Sequence, residues 1–231
     1  METSVDLSPR LLKVAKAVPP CELLADIGTD HAYIPVYLVE CGIAKNAVAS
    51  DVAVGPSKRA ENNIKLHGFS DKISVVVGNG LEKIENADVF VIAGMGGNMI
   101  CDILKDGDVK AKAASCIVLQ PMTCVFDVRK FLFKNGYEII FEDLAEEDDK
   151  IYNILTVKAG NQTSSNEIYH HLGGYLIENR HPLLGKYIKK KIHSLKIAAD
   201  NMKNSDSEDV QKKREENLRL IGEFKKVGET L

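Results

Sequence analysis

Nowhere in these 231 residues does an apolar run approach the ~20 residues that a helix needs to cross a bilayer, so no membrane span is expected. The opening Met-Glu-Thr-Ser-Val-Asp lacks the basic-then-apolar pattern of a secretion signal. Cysteine is sparse and unpaired: Cys21, Cys41, Cys101, Cys116 and Cys124 form an odd set with no Cys-x-x-Cys spacing. That argues against a disulfide framework and a structural zinc site, and the expected compartment is a reducing cytoplasm. No cluster has metal-ligand spacing, so no metal is expected. No Ser/His/Asp arrangement announces a nucleophile, although such triads assemble in space and a sequence does not display them. What is present, 45% hydrophobic and 27% charged residues, suits an ordinary soluble chain with one good core and a smaller appendage.

Charge is unevenly spread. Residues 1–160 carry 17 Lys+Arg against 23 Asp+Glu, a balance of −6, whereas residues 161–231 carry 13 against 10, or +3. Between Arg180 and Lys196 there are six basic residues and no acid. A polyanion responds to such local charge more than to the total.

The chain alternates strand and helix patterns. Ser8 and Pro9 suit the N-cap and first position of a helix that Pro19-Pro20 stops. Leu23–Ile27 reads as a first strand, followed by a helix from Ala32 to Val39 that closes at Gly42. Asn46–Ser50 is a second strand, and Pro56 opens a helix running to His67. Ile73–Val77, Asp88–Ile92 and Cys116–Leu119 are three more strands, each followed by a glycine- or proline-containing turn and, after the last two, a helix. Apolar strands separated by helices predict right-handed crossovers and a parallel sheet covered on both faces. Tyr137–Ala145 and Ile151–Val157 are strand-like too, but only Glu146–Lys150 separates them. A parallel crossover needs a dozen or more residues, so these two must form an antiparallel hairpin.

After Gly160 the texture changes to the polar Asn161–Asn166 linker, which places a domain boundary between 1–160 and 161–231. Ile188, Ile192, Leu195, Ala199 and Met202 step by four and three, a coiled-coil seam. Ser205 and Glu208 have the spacing of a capping box for a return helix through Val210, Leu218, Ile221 and Phe224. The tail is therefore expected to be an antiparallel helical hairpin.

The strand ends carry the chemistry. One rim of the sheet collects Asp26-Ile27-Gly28-Thr29-Asp30-His31, then Asp51, then Asn79-Gly80, then Ala93-Gly94-Met95-Gly96-Gly97, then Gln120-Pro121-Met122-Thr123. Ligands of open α/β sheets bind at that rim, where strand order reverses. Asp51 ends the second strand, where an acid accepts hydrogen bonds from ribose hydroxyls or serves as a turn acid. The first turn lacks the second and third glycines of Gly-x-Gly-x-x-Gly, and Asp26 and Asp30 disfavour a pyrophosphate on the helix N-terminus. Two acids suit a sulfonium and an ammonium better, although an accompanying carboxylate would still need N–H donors. Asn79 either reads an adenine edge or is a left-handed turn residue. The three glycines of Gly94-Met95-Gly96-Gly97 ask for close backbone approach to a ligand, the alternative being a bare tight turn, which would need fewer glycines. His31 and Tyr33 open the first pocket helix and either touch a ligand or pack, while Met95 and Met122 suit pocket walls.

Asp26-Ile-Gly-Thr-Asp-His-Ala-Tyr-Ile-Pro35, Ala93-Gly-Met-Gly-Gly97, Leu119-Gln-Pro-Met122 and the helical tail together resemble the bacterial tRNA (adenine(22)-N1)-methyltransferase family. The resemblance implies a class I methyltransferase: a seven-stranded, mostly parallel, doubly wound Rossmann-like sheet with one antiparallel strand, using S-adenosylmethionine to methylate an adenine of the tRNA D-arm. It assigns the cofactor to Asp26, Gly28, Thr29, Asp30, Asp51, Asn79, Gly80 and Gly94. Asp30, His31, Tyr33 and Met95 stand beside the reacting groups, and Gly96, Gly97, Gln120 and Pro121 line the path to the base. The Asn/Asp-Pro-Pro-Tyr motif that often accompanies exocyclic amine methylation is absent, which fits a ring-nitrogen acceptor. Arg180, Lys186, Lys189, Lys190 and Lys191 would grip RNA phosphates, or form a solvated helix face. A monomer is expected. The competing expectations are a methyltransferase for another RNA site or a small molecule, and a non-catalytic RNA-binding protein.

Overall fold

A computed structural model describes residues 4–164 and 166–231. They form two compact units, 1–164 and 165–231, dividing a few residues beyond the boundary expected at 160.

In the first unit, α1 (Pro9–Lys16) starts as its sequence dictates, with Ser8 Oγ accepting the Leu11 N–H at 3.5 Å and Pro9 in the first turn. The chain then runs β1 (Cys21–Ile27), α2 (Tyr33–Glu40), β2 (Ala44–Asp51), α3 (Val54–Leu66), β3 (Ile73–Val77), β4 (Val89–Gly96), α4 (Gly97–Asp106), α5 (Asp108–Ala113), β5 (Cys116–Thr123), α6 (Val125–Lys134), β6 (Tyr137–Glu147) and β7 (Lys150–Ala159). The seven strands lie in the order β3-β2-β1-β4-β5-β7-β6, with β7 alone antiparallel to its neighbours. Strand order reverses between β1 and β4, so the carboxyl ends of these two strands frame a crevice.

Side chains alternate across the central strands and feed two cores. Leu24, Val89, Val91 and Val118 face Val14, Ile34, Leu38 and Ile64 on one side of the sheet. Ala25, Ile27, Phe90, Ile92, Ile117 and Leu119 face Ile100, Leu104, Val128 and Leu132 on the other. Both faces are covered, which is why these strands read as unbroken apolar runs rather than alternating ones.

Several boundaries depart from the sequence reading for local reasons. Helix α3 begins two residues before Pro56, because Asp51 Oδ1 accepts the Ala53 N–H at 2.8 Å and turns the chain there. The β6–β7 connection is a two-residue turn, Asp148-Asp149, with both residues at positive φ (48° and 59°); Glu146 and Glu147 belong to the ladder opposite Ile151 and Lys150. Such turns match the right-handed twist of the strands they join. Helix α5 was not expected from the sequence; Asp108 in its first turn accepts from Tyr137 Oη at 2.9 Å. Beneath β6 and β7, the wholly buried Arg129 donates from Nε to Glu142 Oε1 (2.7 Å) and from Nη2 to Asn153 Oδ1 (2.9 Å), tying α6 to both strands of the hairpin.

The second unit holds α7 (Glu167–Leu172), α8 (Gly174–Glu178), α9 (Leu184–Asn201) and α10 (Glu208–Glu229). Helices α9 and α10 are joined by a short turn and pack along one another, with Gly228 near the end of α10 lying close to Ile188 near the start of α9. This is the expected hairpin, in a different register on its return arm. Leu218 is 45% exposed, whereas Asn217, Leu220, Ile221 and Phe224 are buried. The Ser205/Glu208 capping box does not form: Ser207 is the N-cap and makes no side-chain cap, and Gln211 Nε2 instead donates to the Ser205 and Met202 carbonyls at 2.6 and 3.0 Å.

Candidate active site

The turn after β1 is pinned to the end of β2. Gly28 N–H and Thr29 N–H both donate to the Ser50 carbonyl, at 2.6 and 3.0 Å, and Gly28 takes φ +77°, a conformation that favours glycine. Thr29 Oγ1 then accepts the Ala32 N–H at 3.0 Å, which starts α2. Asp26, two residues before Gly28, is 4% exposed; burial pushes its carboxyl up to about 7, only partly offset by a hydrogen bond with Thr29. A group this hard to ionise alone is a natural seat for a cationic ligand.

Around it stand the other residues read from the sequence. Asp30 is gripped by Arg59, whose Nε donates to Oδ1 at 2.7 Å, and its Oδ2 lies 3.6 Å from His31 Nε2. The His31 and Tyr33 rings are stacked, centroids 5.1 Å apart and planes 8° from parallel, with Tyr33 40% exposed. Asn63 Nδ2 secures this loop through the His31 carbonyl at 2.8 Å. Asp26, Gly28, Thr29, Asp30, His31 and Tyr33, together with Arg10, Leu11, Ala93 and Gly94, line a cavity of about 210 Å³ at the crevice between β1 and β4. A more voluminous hollow, about 680 Å³, lies against α4 and α5 and shares only Asn79 and Gly80 with the predicted site. The smaller cavity is the better candidate, because the titratable and aromatic groups converge there.

At the ends of β2 and β3, Asp51 pairs in register with Val77. Its Oδ1 holds the Ala53 N–H, so the turn role is real; Oδ2 takes no partner among the described residues. Asn79 is exposed and its backbone is not left-handed; it opens the turn, its carbonyl accepting the Glu82 N–H at 3.0 Å, and Gly80 takes the left-handed position at φ +52°. Val52 and Val77, exposed by 70% and 47%, flank Asp51 as apolar edges that the sequence reading passed over.

The Gly94–Gly97 stretch is not a loop. Strand β4 runs through it to Gly96, with an irregularity at Gly94 (φ +76°) that leaves this residue out of the ladder with β5. Met95 turns back across the β1 turn, and its methyl lies where a side chain on Gly28 would begin. Pro121 pairs with Met95 in the ladder. Two residues expected to touch substrate are buried supports. A Cβ on Gly97 would meet the Thr123 carbonyl at 2.6 Å and Val128 at 2.8 Å, so that glycine serves packing against the β5–α6 turn. Gln120 is fully buried, its Oε1 accepting from Gly94 N–H (3.1 Å) and Arg10 Nη1 (2.6 Å) and its Nε2 donating to the Pro121 carbonyl (3.1 Å).

In the second unit, Lys186, Lys189 and Lys190 fall within one arc of α9 at roughly 100° per residue, away from the buried Leu184, Tyr187 and Ile188. Lys191 lies further round, its Nζ 5.4 Å from the Tyr187 ring. Arg180 precedes the helix in a left-handed turn (φ +48°).

Gly28 at the crevice, the buried Asp26, Asp51 at the end of β2 and the exposed valines suit S-adenosylmethionine, and the space over Gly28 contains only the flexible end of Met95. Among the described residues no group of three or more His, Cys, Asp or Glu side chains could hold a metal ion, and no helix is long and apolar enough to cross a membrane.

Comparison with known proteins places this geometry. A methyltransferase-domain family model matches residues 7–155. The tRNA (adenine(22)-N(1))-methyltransferase of Bacillus subtilis is 34% identical over 218 residues, covering 91% of this chain and 92% of the relative. The crystal structure of Streptococcus pneumoniae Sp1610 in complex with S-adenosyl-L-methionine superposes with a TM-score of 0.85 at 34% identity, covering 96% of this chain and 99% of that one. M. capricolum TrmK bound to S-adenosyl-homocysteine does so with a TM-score of 0.81 at 28% identity, over 96% and 98% of the two chains. The extent of this identity, together with the matching family model and the crevice at the β1/β4 switch point, makes the chain a member of the tRNA (adenine(22)-N(1))-methyltransferase family.

Proposed function

We propose that this protein transfers a methyl group from S-adenosylmethionine to N1 of adenine 22 in tRNA, with the β1/β4 crevice as its active site. What carries this reading is the convergence of Asp26, Gly28, Asp30, Asp51 and Gly94 on one rim of the sheet in a chain of this family. When bound, the cofactor supplies an electrophilic methyl on a sulfonium. Asp51 holds its ribose hydroxyls, Asn79 reads its adenine edge, and Val52 and Val77 flank the base. Gly28 and Gly80 allow close backbone approach, while Asp26, Thr29 and Asp30 receive the cationic end.

The acceptor asks little of an acid or base. Adenine N1 already has a lone pair, and its displacement at the methyl moves one positive charge from sulfur to the purine. Catalysis then rests on alignment in a site suited to that charge. The stacked His31 and Tyr33 offer a platform for a base taken out of its stack. Met95, Gly96 and Pro121 line the path between methyl and base, and the buried Gln120 fixes Gly94 beside it. Arg180, Lys186, Lys189, Lys190 and Lys191 hold tRNA phosphates without reading sequence. The protein acts as a monomer in the cytoplasm, where its tRNA substrate is made. Total unmodified tRNA incubated with methyl-labelled cofactor and digested to nucleosides should yield label in 1-methyladenosine. Label in any other nucleoside, or none, would refute the reading.

A further inference from the structure

Helix α3 reaches the turn that carries the aromatic pair at two points, both on one face of the helix. Arg59 and Asn63 are four residues apart, so their side chains lie one turn above the other. Arg59 directs Nε and Nη2 at the same Asp30 oxygen, Oδ1, with Nε at 2.7 Å. Asn63 Nδ2 donates to the His31 carbonyl at 2.8 Å. Asp30 passes the constraint on: its Oδ2 lies 3.6 Å from His31 Nε2, and the His31 ring stacks on Tyr33 with the planes 8° apart.

The turn needs support from outside itself. The Asp30 and His31 side chains are 55% and 37% exposed. Ala32 takes φ +53°, a left-handed conformation that disfavours a residue with a side chain. Such a backbone persists only where its surroundings over-determine it. Thr29 Oγ1 fixes it from within the turn, through the Ala32 N–H, and α3 fixes it from the other side. The helix is a firm base for this: Ala60 and Ile64, the residues next to Arg59 and Asn63, are buried in the core beneath, and Ser57 Oγ donates to the Ala53 carbonyl at 3.0 Å. An exposed ion pair such as Arg59–Asp30 adds little to stability. Its consequence here is geometric, because the pair and the Asn63 amide together fix where the His31 and Tyr33 rings stand.

We infer that Arg59 and Asn63 are positioning residues for the methyl acceptor, holding the His31–Tyr33 pair as a preformed platform on which the target adenine stacks; this deepens the acceptor site proposed above and rests on it. Neither residue lines the cavity, so each acts through Asp30 and His31. A platform ordered in advance removes part of the cost of ordering the site around an unstacked base. Helix α3 thereby sets how well the acceptor is held and leaves the methyl donor alone.

Steady-state methyl transfer to tRNA by the full-length wild type, Arg59→Ala, Arg59→Lys and Asn63→Ala, each also made in a Tyr33→Ala background, tests this, with calorimetry for S-adenosylmethionine alongside. Arg59→Ala and Asn63→Ala should each lower kcat/KM for tRNA by about three- to tenfold, the worth of one net hydrogen bond, with the Kd for S-adenosylmethionine unchanged. Arg59→Lys should recover part of the loss. In the Tyr33→Ala background the two substitutions should have no further effect, because residues that act through one platform are not additive. Should Arg59→Ala fail to fold, as judged by its circular dichroism, Asn63→Ala and Arg59→Lys still decide. Wild-type kcat/KM in Arg59→Ala and Asn63→Ala overturns the inference, as does wild-type kcat/KM in Tyr33→Ala. Losses of the same size with and without Tyr33 also overturn it; if the salt dependence of tRNA binding flattens as well in Arg59→Ala, that residue is a phosphate contact instead. Matched losses of tRNA and cofactor affinity overturn it by making α3 a support for the whole crevice. A wild type that methylates no tRNA overturns the function itself.

Discussion

Met95 closes over Gly28: the methionine methyl, carried on the irregular end of β4, occupies the space that a side chain on the first-turn glycine would need. The same glycine sits at φ +77°, so it is constrained both by its backbone and by what lies above it. Gly28→Ala should therefore bind S-adenosylmethionine at least tenfold more weakly. The left-handed conformation costs a non-glycine residue about 1–2 kcal/mol, and the displaced Met95 adds to it. Calorimetry on the variant checks this; wild-type affinity would show that the ligand does not approach Gly28.

Asp26 sets a pH dependence whose sign follows from its burial. Burial pushes its folded carboxyl up to about 7, from the 3.8 of an exposed aspartate. Between those values the folded state holds a proton that the unfolded chain has released, so stability falls as pH rises from about 4 to 7 and is flat above. Asp26→Asn removes that penalty. The variant's melting temperature should exceed the wild type's by about 5 °C at pH 8, with little difference at pH 4. Cofactor affinity should run the other way in the wild type, strengthening from pH 6 to 8 as the carboxylate ionises against a cationic ligand, and Asp26→Asn should abolish that trend. Thermal melts and calorimetry across this range decide both.

Tyr33 is 40% exposed at the mouth of the cavity and stacked on His31. Stacking a base on an aromatic ring is worth about 1–3 kcal/mol, so Tyr33→Ala should lower kcat/KM for tRNA by about tenfold or more. Tyr33→Phe should retain most of it, and the Kd for S-adenosylmethionine should be the same in both. A matching loss in Tyr33→Phe would assign the role to the hydroxyl instead of the ring.

The basic stretch on α9 divides by helix face. Lys186, Lys189 and Lys190 share one arc, whereas Lys191 turns toward Tyr187. Charge reversal of the first three to Glu should weaken tRNA binding in gel-shift assays and flatten its salt dependence, and Lys191→Glu alone should do much less. Cofactor affinity should be untouched in both. Equal effects from the two variants would mean that general charge, not this face, holds the RNA.

The parallel core was legible because buried strands such as Val89–Ile92 are continuous apolar runs, and each strand end announced itself with an acid, a glycine or a proline. Pattern reading failed where one residue's role is set by another far along the chain. Arg10 reads as an ordinary residue of the first helix, and only the fold brings it 2.6 Å from Gln120, 110 residues away. Gly94-Met95-Gly96 reads as a turn, yet pairing with β5 draws it into the strand. Gly97 looks like a ligand-approach glycine, but the β5–α6 turn is what presses on it. In the tail, the Ser205/Glu208 pattern lost to Gln211, which satisfies the turn carbonyls directly. Leu218 was placed in the seam by its hydrophobicity, whereas helical register puts Asn217 there.

The most direct measurement is transfer of labelled methyl to in vitro transcribed tRNA carrying adenine at position 22, beside an otherwise identical transcript with guanine there. The account predicts stoichiometric labelling of the first transcript, recovered as 1-methyladenosine, and background counts on the second. Equal labelling of the two transcripts, or none on either, would contradict it.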